Sequence, residues 1–200
     1  MTGTGRAPVA VERVTAESAA EDAAGLSAVL IATVAAGASV GWIEPPSAEE
    51  ATSWWQGLFA DPDATSWVAR GDDGRALGTI TLLRSPKPNG PHRGEVVKLM
   101  VHPEARGRGV ALALMRALEE HARVTGLTLL VLDTETGSLA ETLYARWGWH
   151  AVGVIPDFAV MPSGRLGGTT VMYKRLSGEP AADALLPGSL FADSQPPRAE

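Results

Sequence analysis

Hydrophobic and polar positions follow two different periods along this chain, and together they predict a mixture of helices and strands. Apolar residues at helical spacing, or residues that commonly begin helices, predict helices at 19–36, 47–59, 108–124 and 138–147. Short apolar runs bounded by turn residues predict strands at 9–14, 66–70, 77–84, 94–101, 127–132, 150–155 and 169–176. The stretches 37–46 and 85–93 are predicted to be loops.

Two of the predicted helices begin with a capping box, in which a Ser at the N-cap is followed three residues later by Glu. The pairs are Ser47 with Glu50 and Ser138 with Glu141, and Gly148 lies just beyond the end of the second helix. The helix at 108–124 is amphipathic. We expect its apolar face in the core, with Ala111, Leu114, Met115, Leu118 and Ala122. We expect its polar face in solvent, with Arg116, Glu119, Glu120 and Arg123.

The order of the elements predicts how the strands pair. A strand-helix-strand unit runs from Glu95 to Leu132, and such a unit pairs its two strands in parallel through a right-handed crossover. A turn at 71–75 joins two strands into a hairpin, which predicts antiparallel pairing. The predicted fold class is therefore α/β (α+β). It has a mixed, mostly antiparallel central sheet with a parallel strand-helix-strand core and helices on both faces.

Composition and charge narrow the classes of function. The chain has 200 residues, of which 45% are hydrophobic and 20% charged, values that are ordinary for a globular protein with a substantial core. The net charge of -6 argues against a nucleic-acid partner or an anionic membrane. The most apolar stretch, 23–40, is rich in alanine and contains glycine, so it is interpreted as a buried helix. A cytoplasmic location is expected.

The two ends of the chain differ in composition from the middle. Residues 1–8 are rich in Gly and Thr, and 177–200 are rich in Pro, Ala and Ser with an excess of acidic residues. Such segments bury too little apolar surface to offset the entropy lost on ordering. We therefore expect a flexible N-terminus at 1–8, one folded domain at 9–176 and a disordered tail at 177–200.

Several kinds of site are excluded or disfavoured. The chain has no cysteine, which excludes disulfides, thiol catalysis and Cys-based zinc sites. The four histidines are scattered and no H-E-x-x-H motif occurs, so no metal site is predicted. A dinucleotide-binding fingerprint also fails, because Leu112 stands where the third glycine is required.

The most informative stretch is the basic, glycine-bearing loop between the strand 94–101 and the helix that follows it. Gly107 and Gly109 allow a sharp turn that exposes consecutive backbone N–H groups at a helix N-terminus, where the helix dipole is positive. Arg106 and Arg108 add cationic side chains to an otherwise acidic protein. These features favour a pyrophosphate site, although a tight strand-to-helix turn would use the same glycines.

The whole string of residues resembles the acetyl-CoA signature of the GCN5-related N-acetyltransferase (GNAT) superfamily, Q/R-x-x-G-x-G/A. It is matched here by Arg106, Gly109 and Ala111. Two further motifs typical of the family are V-x-P at 101–103 and L-Y-x-x-x-G-W at 143–149. The resemblance covers about 9–176 and is nearest to the tabtoxin-resistance acetyltransferase subgroup. The stretches that match this subgroup are 37–41, 98–101, 130–134, 156–159 and 162–164.

This resemblance implies a GNAT fold, acetyl-CoA as donor, a small-molecule amine as acceptor and direct transfer in a ternary complex. It leaves a homodimer open. In this family the strand before the signature offers backbone groups to the pantetheine arm and the thioester. The residues that we expect to contact acetyl-CoA are Leu99, Met100, Val101, Arg106, Gly107, Arg108, Gly109, Val110 and Ala111.

The resemblance also implies catalytic roles. Tyr144 stands where these enzymes commonly place the acid that protonates the leaving thiolate, although an aromatic packed on its helix is the alternative. Glu95 and Asp133 are candidates for the base that accepts the proton of the amine, with a solvated carboxylate or helix cap as the alternative. Alternation along the strand predicts one shared side for Glu95, Val97, Leu99 and Val101.

Other residues have weaker claims to the site. Glu135 is a further candidate for the base. Lys98 and Arg93 could bind a carboxylate of the acceptor, and Trp42 could form a wall of the site or pack in the core. Two functions of other kinds stay open, a protein or peptide N-acetyltransferase and a non-catalytic acyl-CoA-binding sensor.

Overall fold

A computed structural model describes residues 9–176, and all of the elements that follow lie in that part of the chain. The strands are β1 (Ala10–Arg13), β2 (Ala64–Arg70), β3 (Ala76–Arg84), β4 (Arg93–Val101), β5 (Leu129–Glu135), β6 (His150–Val160) and β7 (Leu166–Arg175). The helices are α1 (Ala19–Ala35), α2 (Ala48–Phe59), α3 (Val110–Val124) and α4 (Leu139–Arg146). The predictions for 1–8 and 177–200 lie outside the described residues. Over residues 9–176, no helix has both the length and the apolar character that crossing a membrane requires.

The seven strands form one sheet in the order β1-β2-β3-β4-β5-β7-β6. Strand β4 pairs with β5 in parallel, and the helix α3 connects them. The other neighbouring strands pair in antiparallel fashion. This arrangement confirms the predicted mixed, mostly antiparallel sheet with a parallel strand-helix-strand core.

Helices cover both faces of the sheet, as predicted. On one face α1 and α2 bury Leu26, Leu30 and Trp55 against residues such as Met100. On the other face α3 packs Leu114, Met115 and Leu118 against β-strand residues such as Ile80 and Leu130. Each of these large side chains contributes about 1.5–3 kcal/mol by leaving water, so the two apolar clusters hold the helices on the sheet.

Both predicted N-caps are present, although they differ in detail. The Ser47 side chain accepts the N–H of Glu50, and the Glu50 carboxylate accepts the N–H of Ser47, which completes a capping box. At α4 the Ser138 hydroxyl accepts the N–H of Glu141. The Glu141 carboxylate instead accepts the N–H of Gly137, at 2.6 Å. In the second box the Glu141 carboxylate therefore accepts from the residue before the N-cap instead of from the N-cap itself.

The helix α3 begins two residues later than predicted, at Val110. Its N-cap is Gly109, whose φ of +81° is left-handed and cannot continue a right-handed helix. The preceding residues Pro103–Ala105 form one 3-10 turn. Both details turn the chain sharply between β4 and α3, so Gly107 and Gly109 lie in an exposed loop.

The last two strands are longer than the sequence predicted. Strand β6 continues to Val160 and β7 begins at Leu166, because the turn signals at Pro156 and Gly167 lie inside the hairpin instead of ending it. Two extra residues of β6 are accommodated between Ile155 and Ala159, where the pairing register shifts. Asp157, at φ +53°, lies in that bulge.

The prediction that Glu119 faces solvent was wrong. Its side chain is 8% exposed and lies between two cations. Lys174 donates to Glu119 Oε1 at 2.6 Å, and Arg123 donates to Oε2 at 3.2 Å. The partner Lys174 comes from β7, which the periodicity of α3 could not reveal. A buried carboxylate is tolerated here because both of its oxygens are paired.

Candidate active site

A cleft opens in the sheet where β4 and β5 separate. The two strands pair over three residues each, ending at Glu95 opposite Val131. Beyond this point their carboxyl-terminal halves diverge, and the cleft, about 1120 Å³ in volume, lies between them. Its walls come from the second half of β4, the glycine loop, α4, the loop 37–46 and the β6–β7 hairpin. Strand ends and a break in pairing thus create a concave surface beside the glycine loop.

A β-bulge in β4 shapes the floor of the cleft. Opposite β3, Thr81 pairs with Val97 whereas Thr79 pairs with Met100, so β4 carries one extra residue in this interval. Lys98 lies in the interval with a left-handed φ of +55°. Such a conformation is uncommon for a residue other than glycine and is found preferentially at functional positions.

The bulge overturns the predicted facing of the strand. Val96 and Met100 would share a side in a regular strand, yet Val96 is buried with α3 and Met100 with α1 and α2. Leu99 and Val101 pack against the same cluster as Val96. The prediction of one shared side was therefore wrong for the set Glu95, Val97, Leu99 and Val101.

The loop before α3 presents backbone donors to the cleft. Gly107 and Gly109 have φ of +71° and +81°, and both line the cleft, as do Val110 and Ala111. No side chain of the described residues caps this helix start, so the N–H groups of its first turn remain available to an anion. The local geometry is suited to a phosphate or pyrophosphate group.

The two arginines of this loop are placed differently. Arg106 is exposed and lines the cleft. Arg108 is half-buried, does not line the cleft, and its Nε is buried without a hydrogen-bond partner among the described residues. Of these two arginines, Arg106 is therefore the one that adds positive charge at the cleft.

Tyr144 lies on α4 with its ring held between two indoles. Its centroid is 5.9 Å from that of Trp147 and 6.0 Å from that of Trp149, and its side chain lines the cleft although the residue is 7% exposed. Burial, and secondarily the negative charge of Asp133, raises the pKa of Tyr144 to about 12. The phenol therefore keeps its proton throughout the neutral range.

Asp133 lies near the end of β5 on the rim of the same cleft. Thr169 donates its hydroxyl to Asp133 Oδ2 at 2.8 Å, and the backbone oxygen of Thr134 competes for that proton at 2.9 Å. The carboxylate is exposed, and its charge acts on the pKa of both Tyr144 and Lys98. For both groups this charge is the smaller effect, after burial.

The predicted site residues separate into two groups. Tyr144, Asp133 and Glu135 line the cleft. Glu95 is exposed at the last parallel pair and does not line the cleft, and Arg93 lies two residues farther from the opening. Of the two carboxylates given equal standing from sequence, Asp133 lines the same cleft as Tyr144 and Glu95 does not.

The predicted loop 37–46 lies over the cleft. Trp42 combines both roles that were considered for it, because it lines the cleft and also packs against the cluster of α1 and α2. Lys98 likewise lines the cleft. Its ammonium group donates to the backbone oxygen of Val40 at 3.0 Å.

Sequence reasoning missed the wall formed by the β6–β7 hairpin. Residues 158–161 and 167–169 line the cleft, including the side chain of Phe158. The bulge at Asp157 lies directly before residues 158–161, and periodicity cannot show where extra residues are inserted. The Pro156-Asp157 dipeptide is a turn signal that could have indicated the irregularity.

The known proteins to which this chain is similar in sequence include several N-acetyltransferases. The model of the acetyltransferase (GNAT) family matches residues 31–149, which is more than half of the chain. An uncharacterized N-acetyltransferase from Azospirillum brasilense is 33% identical over 123 residues, covering 60% of this chain and 73% of that protein. The aminoglycoside N(6')-acetyltransferase type 1 of Klebsiella aerogenes is 33% identical over 113 residues, covering 54% and 74%. For N-acetyltransferase 8B of Rattus norvegicus, 33% identical over 97 residues, the match covers 48% of this chain and less than half, 43%, of that protein.

Solved structures share the arrangement of strands and helices. A GNAT superfamily phosphinothricin acetyltransferase from Sinorhizobium meliloti, in complex with AcCoA, has a TM-score of 0.69 and 18% identity, and the match covers 84% of this chain and 89% of that one. An acetyltransferase from Salmonella typhimurium, solved with its cofactor acetyl-CoA, has a TM-score of 0.70 and 19% identity, with coverage of 89% and 99%. At these identities the likeness establishes the fold.

Proposed function

We propose that this chain, which belongs to the acetyltransferase (GNAT) family, transfers an acetyl group from acetyl-CoA to the amine of a small molecule. The transfer is direct, within a ternary complex. The observation that carries the proposal is the convergence of the glycine loop, Tyr144 and Asp133 on one cleft. We assign this activity to the domain formed by residues 9–176.

The residues around the glycine loop fit acetyl-CoA. The first turn of α3 offers backbone N–H groups to the pyrophosphate, and Arg106 adds a cation beside them. The edge of β4 from Leu99 to Val101 is not paired with β5, so its backbone groups are free to bind the pantetheine arm. When bound, acetyl-CoA supplies the activated acetyl group as a thioester.

Asp133 accepts the proton of the acceptor amine in this proposal. An alkylammonium has a pKa near about 10 and is almost entirely charged at neutral pH, so it must lose a proton before it can attack a carbonyl. What supports Asp133 is its place on the cleft, its exposure to an incoming cation and its hydrogen bond from Thr169. Glu135 lines the cleft two residues later and is the second choice.

Tyr144 donates the proton that the leaving thiolate sulfur takes up as its bond to the acetyl carbon breaks. From ammonium to amide the nitrogen loses two protons: Asp133 takes the first and releases it to solvent, and the second, lost as the C–N bond forms, replaces the proton that Tyr144 gave to the sulfur. One proton is released overall, and the transfer needs no further co-reactant. What supports this role is a buried phenol on the cleft whose raised pKa keeps it protonated at neutral pH. Trp147 and Trp149 restrict the orientation of its ring.

The test is an assay of acetyl-CoA consumption across a panel of amines. Amino acids, polyamines, aminoglycosides and lysine-bearing peptides are each supplied with acetyl-CoA, and free thiol is measured. Acetylation of a small amine supports the proposal, whereas turnover with peptides alone would transfer the assignment to protein substrates. Tight binding of acetyl-CoA without turnover on any amine would favour a sensor.

We also propose that a second copy of the chain pairs along β6. This strand is the edge of the sheet, and the exposed apolar residues on and beside it are Val152, Val154, Ile155, Phe158, Val160 and Leu166. Asp157 is the one Asp, Glu, Lys or Arg among 150–160, although the whole chain carries a net charge of -6. An edge strand with unpaired backbone groups and little charge can pair in antiparallel fashion with its own copy.

A further inference from the structure

Lys98 lies at the point where the backbone of β4 departs from regular strand geometry. It lies in the bulge of β4 at φ +55°, and its side chain is half-buried at the cleft. Burial lowers the pKa of Lys98, and the charge of Asp133 opposes that effect. A positive φ and the partial burial of a charge each cost free energy, and a solvated lysine in a regular strand would avoid both costs. The position of Lys98 therefore calls for an explanation.

The contacts of the Lys98 ammonium group lie on two elements that the proposed chemistry does not use. Its Nζ donates to the backbone oxygen of Val40 at 3.0 Å and lies 5.1 Å from the ring centroid of Trp54 on α2. The loop backbone packs closely on the ammonium group: a Cβ added at Gly41 would lie 3.3 Å from Nζ. Gly41 also has a left-handed φ of +94°, so this close approach depends on glycine twice.

These contacts connect the strand at the centre of the site to the loop that covers it. The loop 37–46 lines the cleft from Ala38 to Ile43, and Trp42 lies two residues after the carbonyl that Lys98 binds. Trp54 belongs to α2, which begins directly after the loop. The Lys98 side chain therefore contacts both the middle of the loop and the helix that follows it.

We infer that Lys98 is a positioning residue that fastens the loop 37–46 to the bulge of β4 and thereby fixes the wall against which the acceptor amine binds. The inference rests on the proposed function, which uses the glycine loop, residues 99–101 and α4 for acetyl-CoA and its thiolate and leaves the loop 37–46 for the acceptor. The Lys98 ammonium contacts Val40 and Trp54, which are not among the groups proposed to bind acetyl-CoA, so loss of these contacts should leave acetyl-CoA binding intact.

The first test measures the loop directly by hydrogen–deuterium exchange followed by mass spectrometry. Lys98→Met keeps the apolar stem and removes the ammonium, so exchange in peptides covering 37–46 should become about 10-fold faster. Lys98→Arg retains a cationic donor and should restore most of the protection. The matched control is Lys87→Met, which removes an exposed lysine of the loop 85–92 and should leave 37–46 unchanged. Equal exchange in Lys98→Met and the parent protein would overturn the inference.

The second test separates loop positioning from direct binding of the acceptor. With the acceptor found in the amine panel, Lys98→Met should raise its KM about 10-fold while kcat stays within about 2-fold. The same rise is expected for an acceptor that has a carboxylate and for its amide. A rise confined to the carboxylate form would show that Lys98 binds the acceptor itself, which would refute positioning.

The outcome for Lys98 and the outcome for the proposed function can be told apart. Exchange at 37–46 requires neither substrate nor turnover, and thermal scans with and without acetyl-CoA report binding of the cofactor separately. A faster-exchanging loop in a protein that acetylates no amine would support Lys98 and reject the proposed function. If Lys98→Met left the exchange at 37–46 unchanged in a protein that does acetylate an amine, the proposed function would be supported and the role of Lys98 rejected.

Discussion

At Tyr144 two physical effects act in the same direction. Removal from water and the nearby negative charge of Asp133 both disfavour the phenolate, which raises the pKa of Tyr144 to about 12. The proton is therefore retained below the usual tyrosine pKa of 10.0 and is lost only as the pH rises through the higher value. Across the neutral range Tyr144 is always an available donor, and its own ionisation does not shape the pH profile.

Replacing Tyr144 with Phe should lower kcat by about 10²-fold, because the ring still packs between its tryptophans and only the proton donor is lost. Since Tyr144 stays protonated, the factor should be the same at each pH from about 6 to 9. Steady-state rates over that range provide the measurement. Tyr173→Phe is the matched control, because the ring of Tyr173 packs against His150 and the residue does not line the cleft. If kcat survives Tyr144→Phe while chemistry limits the rate, Tyr144 is a packing residue.

Asp133 and Glu95 make a second comparison at the scale of single residues. Asp133→Asn should lower kcat by about 10²-fold or more and flatten the rise of the rate with pH, because the group that accepts the proton is lost. The amide can still accept the Thr169 hydroxyl, so the local structure should be kept. The measurement is the pH dependence of kcat and KM with a confirmed acceptor.

Glu95→Gln is the counterpart, and it should leave kcat and its pH dependence nearly unchanged. Glu95 is exposed and lies outside the cleft lining, so its charge is screened by water. If Glu95→Gln were the slow variant instead, the base would have to act from outside the cleft through a chain of waters. If both variants kept the parental rate, neither carboxylate would be the base.

Part of the site could be predicted from single residues and part could not. Tyr144 and Asp133 could be named because the family motif and the end of a strand are visible in sequence. Their mutual electrostatics, and the hydrogen bond from Thr169, depend on strands that meet only in three dimensions. Lys98 shows the same limit, since no sequence pattern reveals the bulge that turns its side chain toward the loop.

At the scale of elements, one ionic cluster ties together three parts of the cofactor side of the cleft. Lys174 of β7 donates to Glu119 of α3 at 2.6 Å and to the backbone oxygen of Trp147 at 2.7 Å. Trp147 is the C-cap of α4, so the lysine also stabilises the negative end of the helix that carries Tyr144. The cluster thus holds the helix of the glycine loop and the helix of Tyr144 in a fixed relation.

Lys174→Met should lower the free energy of unfolding by roughly 3 kcal/mol, because it leaves the buried Glu119 carboxylate with Arg123 as its one remaining partner. Chemical denaturation with urea gives the measurement. Lys87→Met, at an exposed site, should change stability by less than about 0.5 kcal/mol. A similar small change in both variants would mean that Glu119 relaxes to solvent when its lysine is removed.

The elements themselves were largely predictable, and three of the departures share a cause. Capping residues and helical periodicity are local, so α2 and α4 were predicted within one residue of their ends. Strands β2 and β5 were displaced by two or three residues at an end. The other errors include the start of α3, the bulge of β4 and the bulge of β6, where the backbone leaves regular geometry. These three departures all border the cleft, where function and regular structure compete.

At the scale of the whole molecule, the connection of α3 between two strands was enough to predict a parallel pair within an antiparallel sheet. The separation of β4 from β5 was not predictable, because it depends on how far two strands stay paired after they meet. That separation makes room for the cleft. The parallel pair and the antiparallel hairpin therefore followed from sequence, whereas the position of β7 between β5 and β6 and the opening that gives the sheet its site did not.

The exposed edge of the sheet leads to a prediction about assembly. If two copies pair along β6, the chain should behave as a dimer in light scattering coupled to size-exclusion chromatography. Val154→Lys places two like charges near the shared axis and should give monomers. Val124→Lys is the control, because Val124 is 77% exposed at the end of α3, away from β6. A monomeric parent protein, or a dimer that tolerates Val154→Lys, would contradict the assignment of β6.

Binding of acetyl-CoA should be visible in the stability of the whole molecule, because a ligand that binds only the folded state stabilises it by RT ln(1 + [L]/Kd). At a concentration 100 times Kd this is about 2.7 kcal/mol, or a rise in Tm of about 5–10 °C for a chain of this size. Thermal scans with acetyl-CoA, and with NAD as the nucleotide that should have no effect, provide the measurement.

Gly109→Leu should abolish that rise, and Gly126→Leu should not. The two glycines have nearly equal φ, +81° and +79°, and an added Cβ meets nothing within 4 Å at either position. Leucine should therefore strain the backbone and lower the Tm of the free protein by similar amounts at both sites. Gly109 lines the cleft and Gly126 follows the far end of α3, so the leucine obstructs a bound pyrophosphate at Gly109 alone. Equal responses to acetyl-CoA in both variants would mean that the cofactor does not approach the backbone of this loop, and a rise with NAD but not with acetyl-CoA would reject the proposed function altogether.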